Sequence, residues 1–260
     1  MYKTRILLIA VILLSTIGLS RAEENKLKVT FDMDYMSKWM TKGKQGYGED
    51  GAFLSTLGLD LYNTGFGLSV KHINPDSSNF YTGNDIKDKQ RLDYSVFYKN
   101  SFFEDQIYKT KYKLSWIYKN YYDQARNKGN VQAWQLKLSW PELFSKKLEP
   151  YYITHYEYPA GSGYDMKPHW AGWVHRFGLQ VNLDVAELPE PLCLTSEVAY
   201  TDGLRAADHD WSYATFGIST KFKVTDSLTF IPEINYQVSM DDSVCERDLT
   251  YFKLGFKYKF

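Results

Sequence analysis

Beyond its first two dozen residues the chain has no apolar run approaching the ~20 residues that a membrane helix needs, so helical spans are excluded. Cysteine is nearly missing. Cys193 and Cys245 are the only two in 260 residues, and neither carries metal-ligand spacing around it. An excess of charge of one sign is missing as well: 31 Lys and Arg stand against 31 Asp and Glu. Such a balance gives no footing for nucleic acid, which asks for a basic patch or stripe.

Aromatic residues are what the chain has in quantity. They make up 17% of it, led by 22 tyrosines, yet mean hydropathy is mildly polar. A barrel wall produces that combination, because each strand averages a greasy face against a wet one. From residue 27 onward about twelve segments alternate with period two, the spacing at which successive side chains fall on opposite faces of a strand. In Leu27–Trp39, Val29, Phe31, Met33 and Tyr35 oppose Lys28, Thr30, Asp32 and Asp34. In Gln106–Tyr122, Tyr108, Tyr112, Leu114, Trp116 and Tyr118 oppose Lys109, Lys111, Lys113 and Lys119. The connections alternate too. Long ones (Met40–Ala52, Asn74–Gln90, Pro159–Ala171, Asp202–Trp211) take turns with short ones (Asn63–Gly65, Ser101–Asp105, Ala186–Pro191, Thr225–Ser227). Short turns at one rim and longer loops at the other predict an all-β, antiparallel up-and-down transmembrane β-barrel of about 12 strands. Trp39, Trp134, Trp170, Trp173 and Trp211 fall near the long loops and Trp140 near a short one, two levels that suit the membrane interfaces.

The ends of the chain fit an exported protein. Met1–Ala22 reads as a cleaved signal peptide: Lys3 and Arg5 precede the apolar Ile6–Leu19, and Ser20-Arg21-Ala22 offers small residues for cleavage. Residues 23–260 then form the barrel domain. At the other end, Phe252, Leu254, Phe256, Tyr258 and Phe260 alternate with Lys253, Gly255, Lys257 and Lys259. Lys253, Gly255, Tyr258 and Phe260 resemble the carboxy-terminal assembly signal of outer-membrane barrels, which implies the barrel assembly machinery as a partner and the outer membrane as destination. Asp34–Gly43 (DYMSKWMTKG) is similar to the opening of the TorF family of porins, with Lys42-Gly43 where that family tends to have Arg-Gly. The resemblance implies a small outer-membrane porin with no assigned substrate, and it adds no catalytic residues.

With the greasy face toward lipid and lipopolysaccharide, the other face supplies the pore-lining candidates. These are Asp32, Asp34, Asp60, Arg91, Asp93, Lys109, Lys111, Lys113, Lys137, Glu157, Arg176, Glu197 and Glu233. Basic residues gather on the fourth to sixth strands, where Lys99 joins them, and Glu149, Glu157, Asp184 and Glu197 on the seventh to ninth. A basic wall opposite an acidic one would set a transverse field and orient dipolar solutes. Either these charges line a narrow channel for small polar or charged solutes, or they neutralise one another in a filled barrel that recognises ligands through its outer loops. An enzyme is not expected. None of His72, His155, His169, His175 and His209 has Ser two residues later, so the His-x-Ser pair of outer-membrane phospholipases is missing. Asp208-His209-Asp210 has the wrong spacing for an omptin-type dyad. No cofactor or metal site is expected, and the oligomeric state stays open. Cys193 and Cys245 fall at opposite rims, which predicts two free thiols, the second reachable from outside.

Overall fold

Period-two alternation fixes which face of each strand meets lipid, and the sheet closes so that those faces meet edge to edge. The computed structural model describes residues 27–47, 49–76, 90–122, 130–145, 147–160 and 170–260. The expected signal peptide and most of the expected 74–90 loop lie outside the described residues. Twelve long strands run in chain order: β1 Lys28–Met36, β2 Ala52–Asp60, β3 Phe66–Pro75, β4 Arg91–Phe102, β5 Thr110–Asn120, β6 Val131–Ser139, β7 Leu148–Pro159, β8 Gly172–Leu183, β9 Leu192–Asp202, β10 His209–Ser219, β11 Leu228–Ser239 and β12 Leu249–Lys259. Each pairs antiparallel with its sequence neighbours, and β12 returns to pair with β1. The barrel is closed, so no strand edge is left for water or lipid to satisfy.

Register at the seam shows the sorting. Phe31, Met33 and Tyr35 lie opposite Tyr258, Phe256 and Leu254, while Asp32 lies opposite Lys257. The first set faces out: Phe252 is 42% exposed, and Leu254, Phe256 and Tyr258 are exposed to a similar degree. An apolar band left uncovered this way is what a hydrocarbon solvent requires. Trp134, Trp170, Trp173 and Trp211 are exposed on it as well.

The start of β1, the end of β12 and the connections 61–65, 103–109, 140–147, 184–191 and 220–227 share one rim, here the turn end. The loops 37–51, 76–90, 121–130, 160–171, 203–208 and 240–248 share the other, the loop end. The expected length contrast fails at one place. Strands β9 and β10 reach Asp202 and His209, leaving only 203–208 between them, and a bulge between Ala199 and Tyr200 absorbs the extra residue.

Two other expectations are corrected. Strand β5 begins at Thr110, not Gln106, because Phe103 takes a left-handed backbone (φ 57°) and the chain turns through Gln106 N–H to Phe103 C=O and Lys109 N–H to Gln106 C=O. Lys109 is therefore in a turn, bound to Glu104 at 2.5 Å. Trp39 is not a belt residue: it is 7% exposed and packs inside with Tyr47, Ala52, Leu54 and Ile73. A second buried cluster, Val174, Ala199, Leu204, Ala207, Tyr213 and Val244, sits across the lumen. Both clusters involve loop-end connections, so the apolar core of this barrel is a stopper in one mouth rather than a sheet-backed layer.

Candidate functional site

The lumen is built from the inward positions of every strand, and the first loop changes its shape. Residues Met40–Thr41 pair with Lys44–Gln45 around a two-residue turn, Lys42-Gly43. Both turn residues have positive φ (53° and 81°), as the tight hairpin that suits strand twist demands. Gly43 is also needed for space: a Cβ there would lie 2.3 Å from the Tyr213 ring. Held at its base by Trp39 packing, the hairpin lies in the loop end of the lumen. The Gly43 carbonyl accepts a 2.8 Å hydrogen bond from Gln237 Nε2 on β11, and Lys42 reaches Glu157 on β7.

Glu157 is the hub of that half. It is 2% exposed, and its Oε2 meets Lys42 and Lys119 while His155 Nε2 lies 3.3 Å away. Arg205, from the 203–208 loop, donates to Oε1 through Nη2 at 2.6 Å and Nε at 3.1 Å. One buried carboxylate thus anchors three cations from three separate segments. Next to it, Arg91 donates from Nη2 to Asp93 at 2.9 Å and from Nη1 to the Tyr121 hydroxyl at 3.0 Å. Lys71 and Arg91 both stand 5.8 Å from the Trp39 ring centroid, a cation–π arrangement.

Toward the turn end the lumen opens. One cavity of about 340 Å³ lies against β4–β6, lined by Lys99, Lys111, Lys113 and Lys137 with Ser101 and Ser139. Another of about 300 Å³ lies under the hairpin against β7–β12, lined by Tyr151, Arg176, Glu197, Tyr213, Glu233 and Tyr251 among others. Tyr151 lies flat over Gly178, where a Cβ would come within 2.1 Å of its ring. Its hydroxyl donates to Glu197 at 3.1 Å.

Of the sequence candidates, all but Lys109 lie on strands at inward positions. Of the expected basic wall, Lys99, Lys111, Lys113 and Lys137 stand side by side on β4–β6, Arg91 is bound at the loop end and Lys109 lies in a turn. The acidic wall is largely neutralised: Glu157 is held in the loop-end cluster and Arg176 meets Glu197 at 3.4 Å, while among the described residues no ion pair includes Glu149. Elsewhere in the lumen Lys253 meets Glu233 at 2.6 Å, Lys257 meets Asp32 at 3.4 Å and Lys99 meets Asp60 at 2.8 Å. Asp34 faces inward beside Gly255. Asp184 lies past the end of β8 and pairs with Lys147 at 2.7 Å in the turns, outside the lumen. Lys109 is likewise outside, and its hydrogen bond holds the Glu104 carboxyl below the usual carboxylate range. The expected transverse field is therefore replaced by a strip of lysines facing a wall of ion pairs.

Lys42, Lys119, His155 and Arg205 belong to the loop-end cluster, and of these periodicity places Lys119 and His155, the latter two residues from Glu157, on the wet face. For Lys42 the signal was there in Lys42-Gly43, a residue-glycine pair of the type that turns a tight hairpin. Nothing in the sequence aims Arg205 at Glu157. His175, outward as its position in the alternation requires, is stacked on Trp173 (6.0 Å, 11°) and shares a 2.7 Å hydrogen bond between its Nδ1 and the Tyr152 hydroxyl. At the loop-end rim His209 pairs with Asp202, both largely in water. At the seam, Tyr258 and Phe260 face each other edge-on at 4.7 Å, and the Phe260 N–H donates to Val29 C=O at 3.1 Å. Both cysteines are free thiols; Cys245 is buried, its Sγ 3.2 Å from Arg247 C=O, so it is less reachable from outside than its loop position suggests.

No protein-family model matches the sequence, and no curated protein matches it. Solved structures do. The KdgM porin superposes with a TM-score of 0.53 at 10% identity, over 89% of this chain and 99% of that one. The NanC porin gives 0.51 at 15% identity, over 89% and 100%. An outer membrane channel from Pseudomonas putida F1 gives 0.52 at 9% identity, over 94% and 100%. At such identities the likeness shows the fold, that of small outer-membrane barrels. It does not single out the TorF family.

Proposed function

We propose that the protein is a narrow outer-membrane channel for small polar or charged solutes, constricted at its loop end by the Lys42 hairpin. The observation that carries this reading is the interior itself: charged and hydroxylated side chains line cavities of about 340 and 300 Å³ below the hairpin. A filled barrel would occupy that space with side chains, as small barrels do. The likeness of the fold to two porins and a channel supports it. In this reading the chain is exported by its signal peptide and inserted by the barrel assembly machinery, which reads Lys253, Gly255, Tyr258 and Phe260. Its apolar band then meets lipid and lipopolysaccharide. The resemblance of Asp34–Gly43 to TorF porins agrees with a channel.

Catalysis is no part of the proposal. His155 and Glu157 are committed to an ion-pair cluster, and the Asp202–His209 pair stands in open water, where a general base gains nothing from burial. A second reading has one observation in its favour: the hairpin and its cluster stop the loop end, as they would in a non-conducting recognition or structural barrel. Single-channel recording of the purified full chain in planar bilayers separates the two. Stable conductance steps, abolished by denaturation, support the channel. A correctly folded barrel that stays silent overturns it in favour of the recognition barrel.

A further inference from the structure

Three lysines stand abreast on neighbouring strands. Lys99 on β4 is the direct partner of Lys113 on β5, and Lys113 is the direct partner of Lys137 on β6. Lys111, two residues along β5, carries the strip toward the turn end. Like charges placed directly opposite one another in a sheet are destabilising, so such a row is kept at a cost. Elsewhere the interior pairs most of its cations with carboxylates, Lys71 standing over the Trp39 ring instead. Here only Lys99 has one, Asp60 at 2.8 Å. Among the described residues, no ion pair includes Lys111, Lys113 or Lys137. Their partial substitutes are ring faces, Phe97 at 3.9 Å from the Lys113 ammonium and Tyr151 at 5.2 Å from that of Lys137. The row is not crowded against itself, because it borders the cavity of about 340 Å³.

We propose that this strip is a binding site for small phosphate-bearing solutes, which the channel takes up at the inner end of its lumen. The site rests on the channel reading for its role in passage, though not for binding itself. Three features select the class. The strip is built of lysine ammoniums, compact point charges with three rotatable donors each, which can gather around a tetrahedral anion from several sides. Ser139 lines the same cavity and adds a hydroxyl donor, whereas Ser101, also in the lining, donates its hydroxyl to Glu104. The cationic charge is shared by three strands, which favours an anion carrying two or more negative charges over chloride.

Inorganic pyrophosphate is the probe. Titration calorimetry on the full chain in detergent should show saturable binding, weakened at least ~10-fold in Lys111→Gln/Lys113→Gln/Lys137→Gln, since hydrogen bonds to charged groups are the strong ones. Lys257→Gln, a lumen lysine already paired with Asp32, should bind as the unaltered protein does. Heat-modifiable mobility on a gel checks that each variant is folded, and Lys113→Gln alone serves if the triple variant is not. The same protein in planar bilayers should lose chloride current as pyrophosphate is added, and the variant should not. Equal binding by folded wild type and variant, or no binding by wild type, overturns the site. Binding lost in the variant while both barrels stay electrically silent sustains the site and removes the channel; conductance without pyrophosphate binding does the reverse.

Discussion

The two halves of the lumen handle charge in opposite ways. At the loop end, Glu157 collects Lys42, Lys119 and Arg205, and Arg91 is bound to Asp93 and Tyr121. Each of those cations has an anionic neighbour, and both carboxylates, Glu157 and Asp93, are buried. At the turn end, Lys111, Lys113 and Lys137 sit beside one another against open space. A closed set of charges is a structural element, because water has been removed and every partner must stay. An open set is available to something that arrives and leaves. The difference separates the part of the lumen that holds the barrel's shape from the part fitted for traffic.

The comparison has consequences of unequal size. Glu157→Ala should have the largest. Removing one partner of a buried ionic cluster leaves the others uncompensated, at a cost of about 3–5 kcal/mol. Urea titration of the barrel in detergent or lipid reads the loss, and a change below ~1 kcal/mol would mean the cluster is wet rather than closed. Gly43→Val comes next. It forces a branched side chain onto the Tyr213 ring at positive φ, strain of about 1–3 kcal/mol. The hairpin should leave its seat, so single-channel conductance rises while the midpoint of unfolding falls. Unchanged conductance with lowered stability would show that the hairpin is not the constriction. Lys113→Gln should act in the opposite direction. It relieves two like-charge pairings and raises stability, by roughly 0.2–1 kcal/mol, while current in a salt gradient shifts toward cations. A destabilised Lys113→Gln would mean its contact with Phe97 outweighs the repulsion. Lys147→Ala, which breaks an exposed pair with Asp184 in the turns, should change neither stability nor selectivity measurably.

How much of this was legible in the sequence follows from range. Period two is a local property, so the twelve strands and their outward faces could be read residue by residue. Strand ends could not be read as well, because Phe103 and the bulge at Ala199–Tyr200 obey turn and twist geometry, not hydrophobicity. The interior positions of Glu157, Glu197 and Lys113 were legible for the same local reason as the strands. Their partners were not. Whether Glu197 faces a free lumen or Arg176 depends on register between strands, and whether Glu157 meets Lys42 depends on where a loop folds. Trp39 shows the failure in one residue: its place after β1 looked interfacial, but the loop turned inward and took it into the lumen.

The hairpin has a mechanical consequence for the cylinder. It hangs from β1 and β2, touches β7 through Lys42 and Glu157, and touches β11 through Gly43 and Gln237. Those attachments lie at separate points around the circumference, so the hairpin works as a spoke that ties the loop-end rim to one radius. Among the described residues, the turn-end rim has its hydrogen-bonded hoop and side-chain pairs between neighbouring strands and turns. Under sideways pressure from the bilayer a hoop without spokes flattens first. The cross-section should therefore breathe at the inner mouth, where the lysines are, and stay round at the outer one.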